Sequence, residues 1–219
     1  MRMSSSLFPR ILLFTAGLYI MALGVALSVA ADLGTSPISC LPYVLSAATP
    51  LTMGMATFVL NIIFVLLQII ILKHGFKIWH LLQLPGLFLF SFFIDLNNFL
   101  LTGLVPDIYA VQFPVMLLSC VVLAAGIALL LKADLLMMPG DALARAIAQV
   151  SGKKFGIIKV AFDVTLVAVA AAVSLIFLQG IVGIREGSLA AALTVGFLAG
   201  FFRKLLSRRE QTCTRLRGR

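Results

Sequence analysis

Six long apolar runs divide the chain, and short polar or glycine- and proline-containing segments separate them. A helix that crosses a membrane needs about 20 predominantly apolar residues. The runs lack the alternation of apolar and polar residues that is typical of outer-membrane β-barrel strands. The pattern therefore predicts an all-α polytopic membrane protein with six transmembrane helices. These six spans are expected at about residues 11–31, 53–73, 80–101, 111–131, 155–178 and 188–203.

Composition supports this interpretation. Hydrophobic residues make up 62% of the 219 residues and charged residues 11%, whereas soluble domains have about 45–50% apolar and about 25% charged residues. A chain of this length cannot bury so much apolar surface in a water-soluble core, so we expect membrane lipid to surround it. The spacing of Cys40, Cys120 and Cys213 fits neither a disulfide framework nor a zinc site. We predict no metal and no cofactor.

The net charge of +9 raises the question of nucleic-acid binding. Lys and Arg collect on the cytoplasmic side of membrane proteins. With the N-terminus inside, the six-span arrangement puts all of the 17 basic residues except Arg185 on the cytoplasmic side. Topology thus explains the charge, and it predicts cytoplasmic N- and C-termini and no nucleic-acid role. The basic tail from residue 203 is expected to lack stable structure and to lie near anionic lipid.

The N-terminal stretch also has features of a cleaved signal peptide. Arg2 and Arg10 precede an apolar run that ends in the small residues SVAA. That run, about 21 residues, is longer than the usual 7–15, and the phrase around the cleavage site recurs in the middle of the chain. We therefore favour a retained first span.

The recurring phrase reveals an internal repeat. GVALSVAADLGTSP at 24–37 returns as GIALLLKADLLMMP at 126–139, an offset of 102 residues that also pairs Asn61 with Asp163. Each half has three spans, and an odd number of crossings turns the second half upside down. The sequence thus predicts two inverted three-helix repeats, the arrangement of many secondary transporters. The divisions are 1–106 for the first repeat, 107–205 for the second and 206–219 for the cytoplasmic tail.

Short broken helices are predicted after spans 1 and 4. Pro37 lacks an N–H and disfavours helix at Ser36, so Ser36 and Pro37 are typical of an N-cap and first helical position. The segments 37–48 and 139–150 are too short to cross a bilayer and are expected to be re-entrant or to lie at a membrane face. The break before the first of them borders a cavity or is a surface turn.

Three stretches carry a family resemblance: ALGVALSVAADLGTSPISCLPYVLS, MGMATFVLNIIFVLL and FFIDL. They resemble the YczE/YitT-type bacterial membrane proteins. The resemblance implies a multi-span protein of the bacterial inner membrane and a permease, and it supplies no catalytic residues. The second half has Leu136-Met137-Met138 where the first has Gly34-Thr35-Ser36, so Thr35 and Ser36 are binding candidates that the second half lacks.

Ionisable residues inside spans mark functional candidates, because a charge at mid-membrane costs at least about 2.5–3.5 kcal/mol. Asp163 lies about 12 Å into span 5. The inverted axis should bring it near Asn61, where a substrate or coupling proton is expected. The structural alternatives are an ion pair of Asp163 with Lys159 and a hydrogen bond from Asn61 across helices.

Three further aspartates are weaker candidates. Asp95 lines an outward vestibule or lies near the membrane interface. Asp32 and Asp134 sit at span ends, where the helix dipole disfavours an anion. They are expected to cap the following short helix or to bind a cation, and capping is favoured.

These features favour a small secondary transporter or permease that moves a small solute or ion by alternating access. The alternatives are a substrate-capturing subunit of an ATP-driven importer, docked through the stripe Ala22, Ala26 and Ala30, and a non-transporting scaffold or regulator. The sequence has no nucleotide-binding glycine loop, zinc helix motif or serine elbow, so no enzyme is predicted. A homodimer is considered because six spans form a small bundle.

Overall fold

The fold comes from a computed structural model that describes residues 7–75, 81–105 and 108–217. These residues form α-helices and no β-strand, which confirms the all-α prediction. A short 3-10 helix, Lys73–Gly75, follows α3. The α-helices are α1 Leu7–Ala30, α2 Pro37–Ala48, α3 Met53–Leu72, α4 Gln83–Leu101, α5 Tyr109–Ala133, α6 Pro139–Ser151, α7 Phe155–Leu178 and α8 Glu186–Arg217.

Five of these helices are long and apolar enough to cross a membrane, namely α1, α3, α4, α5 and α7. The chain is therefore a membrane protein by the length and composition of its helices. The predicted sixth span lies inside α8, which does not meet the same criterion within the described residues. The prediction of an unstructured basic tail is wrong, because α8 continues through it to Arg217. Its Leu, Arg, Lys, Glu and Gln residues are good helix formers.

The two short helices begin where the proline signals predict. Ser36 is the N-cap of α2 and Met138 the N-cap of α6, and each helix has its proline in the first turn. Fixed φ and a missing N–H suit proline to this position. The helices have 12 and 13 residues, and at about 1.5 Å per residue neither can cross a bilayer.

The centre of the molecule is a close, antiparallel-type contact between α1 and α5. A Cβ atom at Gly24 would lie 2.6 Å from the backbone nitrogen of Leu123, and one at Gly126 would lie 2.5 Å from that of Met21. The absence of side chains at these glycines lets the two backbones touch, as small residues do in membrane bundles. The contact is reciprocal, because Gly126 and Leu123 are the repeat partners of Gly24 and Met21.

The remaining helices pack in matching pairs around α1 and α5. Helix α4 lies against α1 as α8 lies against α5, and α2 contacts α7 as α6 contacts α3. One pair breaks the match. Helix α3 packs on α4, but in the described residues no comparable packing joins α7 to α8. The second half is therefore more open than the first.

The backbone explains why aspartate recurs at the end of both α1 and α5. Asp32 has φ of 49° and Asp134 has φ of 46°, a left-handed conformation that Asp and Asn tolerate better than most residues. The prediction that these aspartates cap the following short helices is wrong, since the N-caps are Ser36 and Met138. The aspartates instead turn the chain out of the preceding helix.

Candidate functional site

A central cavity of about 390 Å³ lies where the first turns of α2 and α6 meet. Ile38 in α2 and Gly140 in α6 are in direct contact, and a side chain at Gly140 would collide with Ile38. Ser36 and Pro37 line the cavity from one short helix and Met138 from the other. Of the two sequence-based alternatives for the first break, the structure shows the one that borders a cavity.

The cavity wall is mostly apolar, with a few polar groups that converge on it. A predominantly apolar pocket with a few placed polar groups is typical of a small-molecule site. Helices α1, α4, α5 and α8 supply apolar wall residues such as Val25, Phe90, Ile127 and Val195. The polar lining residues are Ser36, Ser39, Thr57, Asn61, Asp141, Lys159 and Asp163.

Lys159 is the centre of a three-residue charged cluster. Its Nζ lies 2.8 Å from Oδ1 of Asp163 and 2.9 Å from Oδ1 of Asp141. The expected pair of Lys159 with Asp163 is therefore present. Asp141, at the start of α6, pairs with Lys159 rather than with Arg145 one turn later in α6. Two carboxylates share one ammonium, which leaves one negative charge uncompensated when all three groups are ionised.

Asp141 was not among the site residues predicted from the sequence. Asp141 and Lys159 are 18 residues apart in sequence, but α6 packs against α7, and this packing brings the first turn of α6 next to Lys159. The available signal was the repeat itself. It places Asp141 and Lys159 opposite Ser39 and Thr57 of the first half, and all four residues line the cavity.

Asn61 lies on the same cavity as Asp163. The Asn61 side chain is buried and its Nδ2 donates to the carbonyl oxygen of Thr57 at 2.8 Å, which is a bond within α3 and not across helices. The structure thus brings together three of the seven candidate residues named from the sequence, Asp163, Asn61 and Ser36, on the wall of one cavity.

Asp95 lies elsewhere, at the N-terminus of α3. Its carboxylate accepts a hydrogen bond from Oγ1 of Thr52 and another from the backbone nitrogen of Gly54, each 2.7 Å long. An anion at a helix N-terminus satisfies free N–H groups and interacts favourably with the helix dipole. Asp95 therefore joins α4 to the start of α3 and does not line the central cavity.

Asp32 lies in a polar network at the first break, residues 31–36. Arg185 donates to the Asp32 carbonyl oxygen at 3.0 Å, and its guanidinium lies 3.8 Å from the Asp32 carboxylate. The hydroxyl of Tyr43 donates to Oδ1 of Asp32 at 3.3 Å. Burial, and then the nearby Asp32 carboxylate, raise the pKa of Tyr43. Arg185 thus binds the first break through both the carbonyl oxygen and the carboxylate of Asp32.

Thr35 is buried behind this network. Its backbone nitrogen donates to the carbonyl oxygen of Gly183 at 3.3 Å, and its hydroxyl lies 3.5 Å from the sulfur of Cys40. Ser188 at the start of α8 also contacts Cys40, at 3.8 Å. Burial raises the pKa of the Cys40 thiol. Thr35 therefore fastens the first break to the segment before α8 and is not exposed to the central cavity.

Comparison with known proteins adds one finding. The model of a family of unknown function, DUF6198, matches residues 8–204, which is most of the chain. The chain belongs to this family. No curated protein and no solved structure matches it significantly. The family model does not name the YczE/YitT-type proteins, so that narrower resemblance stays a prediction.

Proposed function

We propose that this DUF6198 protein is a small membrane transporter that moves a small solute by alternating access, with the central cavity as its substrate site. The observation that carries the proposal is the meeting of both short helices, Asn61 and the Asp141–Lys159–Asp163 cluster at one cavity. Secondary transporters place their substrate and coupling-ion sites between inverted repeats, beside broken helices.

The proposed architecture has six spans, with the apolar first part of α8 as the sixth, in two inverted three-span repeats. Three observations support it. The phrase around Asp32 recurs around Asp134, and both residues have the same left-handed backbone. The contact of Gly24 with Leu123 has its repeat equivalent in the contact of Gly126 with Met21. The helix pairs α1–α4 and α5–α8 correspond in the same way.

Asp163 is proposed to bind the coupling proton. With all groups ionised, Lys159 faces two carboxylates, and an uncompensated charge in a low-dielectric site is costly. Protonation of Asp163 removes that charge and leaves Lys159 paired with Asp141. The cluster can therefore gain or lose one proton without leaving the ammonium unpaired. Asn61 and Ser36 would supply hydrogen bonds to the solute.

The proposed location is the bacterial inner membrane, with both termini in the cytoplasm. The sorting of basic residues supports this orientation. The YczE/YitT-type resemblance supports the choice of membrane. Arg10 donates hydrogen bonds to the carbonyl oxygens of Ala133 and Asp134 at the end of α5. These contacts support an arrangement in which α1 begins on the same side of the membrane as the second break.

The test compares Asp163→Asn with the unaltered protein in proteoliposomes that enclose a pH-sensitive dye. A defined mixture of metabolites is added outside, the solutes that accumulate are identified by mass spectrometry, and proton movement is followed by the dye. We expect Asp163→Asn to abolish proton-coupled uptake. Asp134→Asn is the matched control, since it makes the same change at an exposed residue outside the cavity. Undiminished uptake in Asp163→Asn would contradict the proposal.

A second candidate function is a non-transporting scaffold or regulator, which the Lys159–Asp163 ion pair favours. In that case a double-mutant cycle of Lys159→Met and Asp163→Asn should show strong coupling in thermal stability and no response to any solute. The stripe proposed for docking an ATP-driven partner is not available for that role, because Ala22 and Ala26 are buried inside the chain.

A further inference from the structure

A second void lies next to the central cavity. This Gln83 pocket has a volume of about 360 Å³. Leu136 and Met137 line both voids, so this part of the second break forms the wall between them. The polar residues of the Gln83 pocket are Gln68, Gln83, Gln149 and Arg145.

Gln83 is the unusual residue of this pocket. Its side chain is 5% exposed, and its Nε2 has no hydrogen-bond partner in the part of the chain that the structure describes. The neighbouring Gln68, in contrast, donates from Nε2 to the carbonyl oxygen of Pro139 at 3.1 Å. A buried donor without an acceptor is costly, and an acceptor atom of a ligand in the pocket would satisfy it.

The charge of the pocket indicates which acceptor fits. Arg145 is the charged lining residue, no Asp or Glu lines the pocket, and Arg145 has no ion pair among the described residues. Asp141, in the same helix, is held by Lys159 at 2.9 Å. A guanidinium and an amide N–H together bind a planar anion, and guanidinium matches carboxylate geometry well.

We propose that the Gln83 pocket binds a small carboxylate anion with a short apolar tail. The carboxylate accepts hydrogen bonds from Gln83 Nε2 and from the Arg145 guanidinium. The tail contacts the apolar wall, which includes Leu72, Leu82 and Leu135. This proposal concerns equilibrium binding to the pocket, so its test does not depend on whether the protein transports a solute.

The test uses butyrate as the probe and butyramide as its uncharged analogue. Binding to the purified protein in a non-ionic detergent is measured by calorimetry and by the ligand-induced shift of the melting temperature. We expect butyrate to bind at least about tenfold more tightly than butyramide, and Gln83→Leu or Arg145→Gln to weaken butyrate binding at least about tenfold, as for charge-assisted hydrogen bonds.

Two controls separate binding from folding. Without ligand, Gln83→Leu should melt at the same or a higher temperature, because it removes an unsatisfied buried amide. Gln112→Leu makes the same change at a buried glutamine of α5 outside the pocket and should keep butyrate binding. If Gln83→Leu does not fold, the exposed Arg145 gives the same test through Arg145→Gln.

Three outcomes overturn the assignment. The first is that butyramide binds as tightly as butyrate. The second is that Gln83→Leu binds butyrate as tightly as the unaltered protein does. The third is that phosphatidylglycerol micelles stabilise the protein through Arg145 whereas butyrate does not. The last outcome would assign the pocket to a lipid headgroup phosphate.

Discussion

The two break segments share a left-handed aspartate, Asp32 or Asp134, and differ in the backbone after it and in what surrounds it. At the first break, residues 31–36, Gly34 has φ of 105°, and a Cβ there would lie 2.5 Å from the Ser188 hydroxyl. At the second break, residues 133–138, the matching residue Leu136 lines two voids. The first break is largely closed, because Thr35 is hydrogen-bonded to the segment before α8 and only Ser36 reaches the central cavity. The second break is more open, because Leu136 and Met137 line both voids. The repeated segment is therefore closely packed in the first half and more open in the second.

The same contrast separates the helices that follow. Gly54 packs tightly against Ser91 and Asp95 of α4, whereas its repeat partner Gly156 has nothing within 4 Å of a Cβ position. Helix α3 packs directly on α4. Helix α7 does not pack on α8 in the described residues, and residues of both helices line the central cavity. On the proposed function, α7, which carries Asp163 and is not packed on α8 in the described part of the chain, is the element that moves.

The largest expected effect comes from alanine at these two glycines. Gly54→Ala should lower the free energy of unfolding by about 3 kcal/mol, because the new methyl overlaps the Ser91 carbonyl oxygen and the Asp95 carboxylate. Gly156→Ala should raise it by up to about 1 kcal/mol, the difference in helix propensity. Both are measured by denaturing-detergent titration, and similar effects at the two positions would remove the contrast between the halves.

A smaller effect is expected for thiol labelling at matched positions of α2 and α6. Cys40 is fully buried and burial raises the pKa of its thiol, so it should react slowly with a maleimide. Its repeat partner in Ala142→Cys lines the Gln83 pocket and should react at least about tenfold faster.

The measurement is made in a Cys120→Ser, Cys213→Ser background, with Cys40→Ala added for the Ala142→Cys protein. Labelling from each face of oriented vesicles also tests the inverted arrangement, which requires the two thiols to be reached from opposite faces. Equal rates at the two positions, or labelling from one face only, would count against a closed first break or against inversion respectively.

The smallest effect is expected for Tyr43→Phe, which removes the hydrogen bond to Asp32. This exposed bond should contribute about 0.5 kcal/mol at neutral pH. Burial and Asp32 raise the Tyr43 pKa above its ordinary value of 10.0, so its neutral form stabilises the fold below that pH, and the stability is lost as pH rises above it. The unaltered protein should lose stability more steeply above pH 10 than Tyr43→Phe does. Identical pH profiles would exclude this role.

Much of the fold follows from short-range signals in the sequence. The proline signals predicted the starts of α2 and α6, and the apolar runs predicted the five spans to within a few residues. The repeat offset of 102 residues pairs Gly24 with Gly126 and Asn61 with Asp163, and the structure gives each pair a shared place, in the α1–α5 contact or on the central cavity.

The rest depends on contacts between residues far apart in sequence. Asp95 could not be assigned to the start of α3, nor Asp141 to Lys159, because each partnership is set by how two helices pack. Asp32 was interpreted as a cap because its side chain suits one. Asp32 occurs at the end of α1 because it tolerates the left-handed backbone conformation of that position. The sequence alone does not show that conformation.

The reciprocal contact of α1 with α5 has a consequence for how the protein could be divided. Each half presents the same face, with a glycine and a large apolar residue three positions apart, and receives the same face in return. A surface that complements itself in this way needs no covalent linker. A fragment of only one half, ending after α4, is therefore expected to pair in detergent solution with a second copy of itself in the opposite orientation.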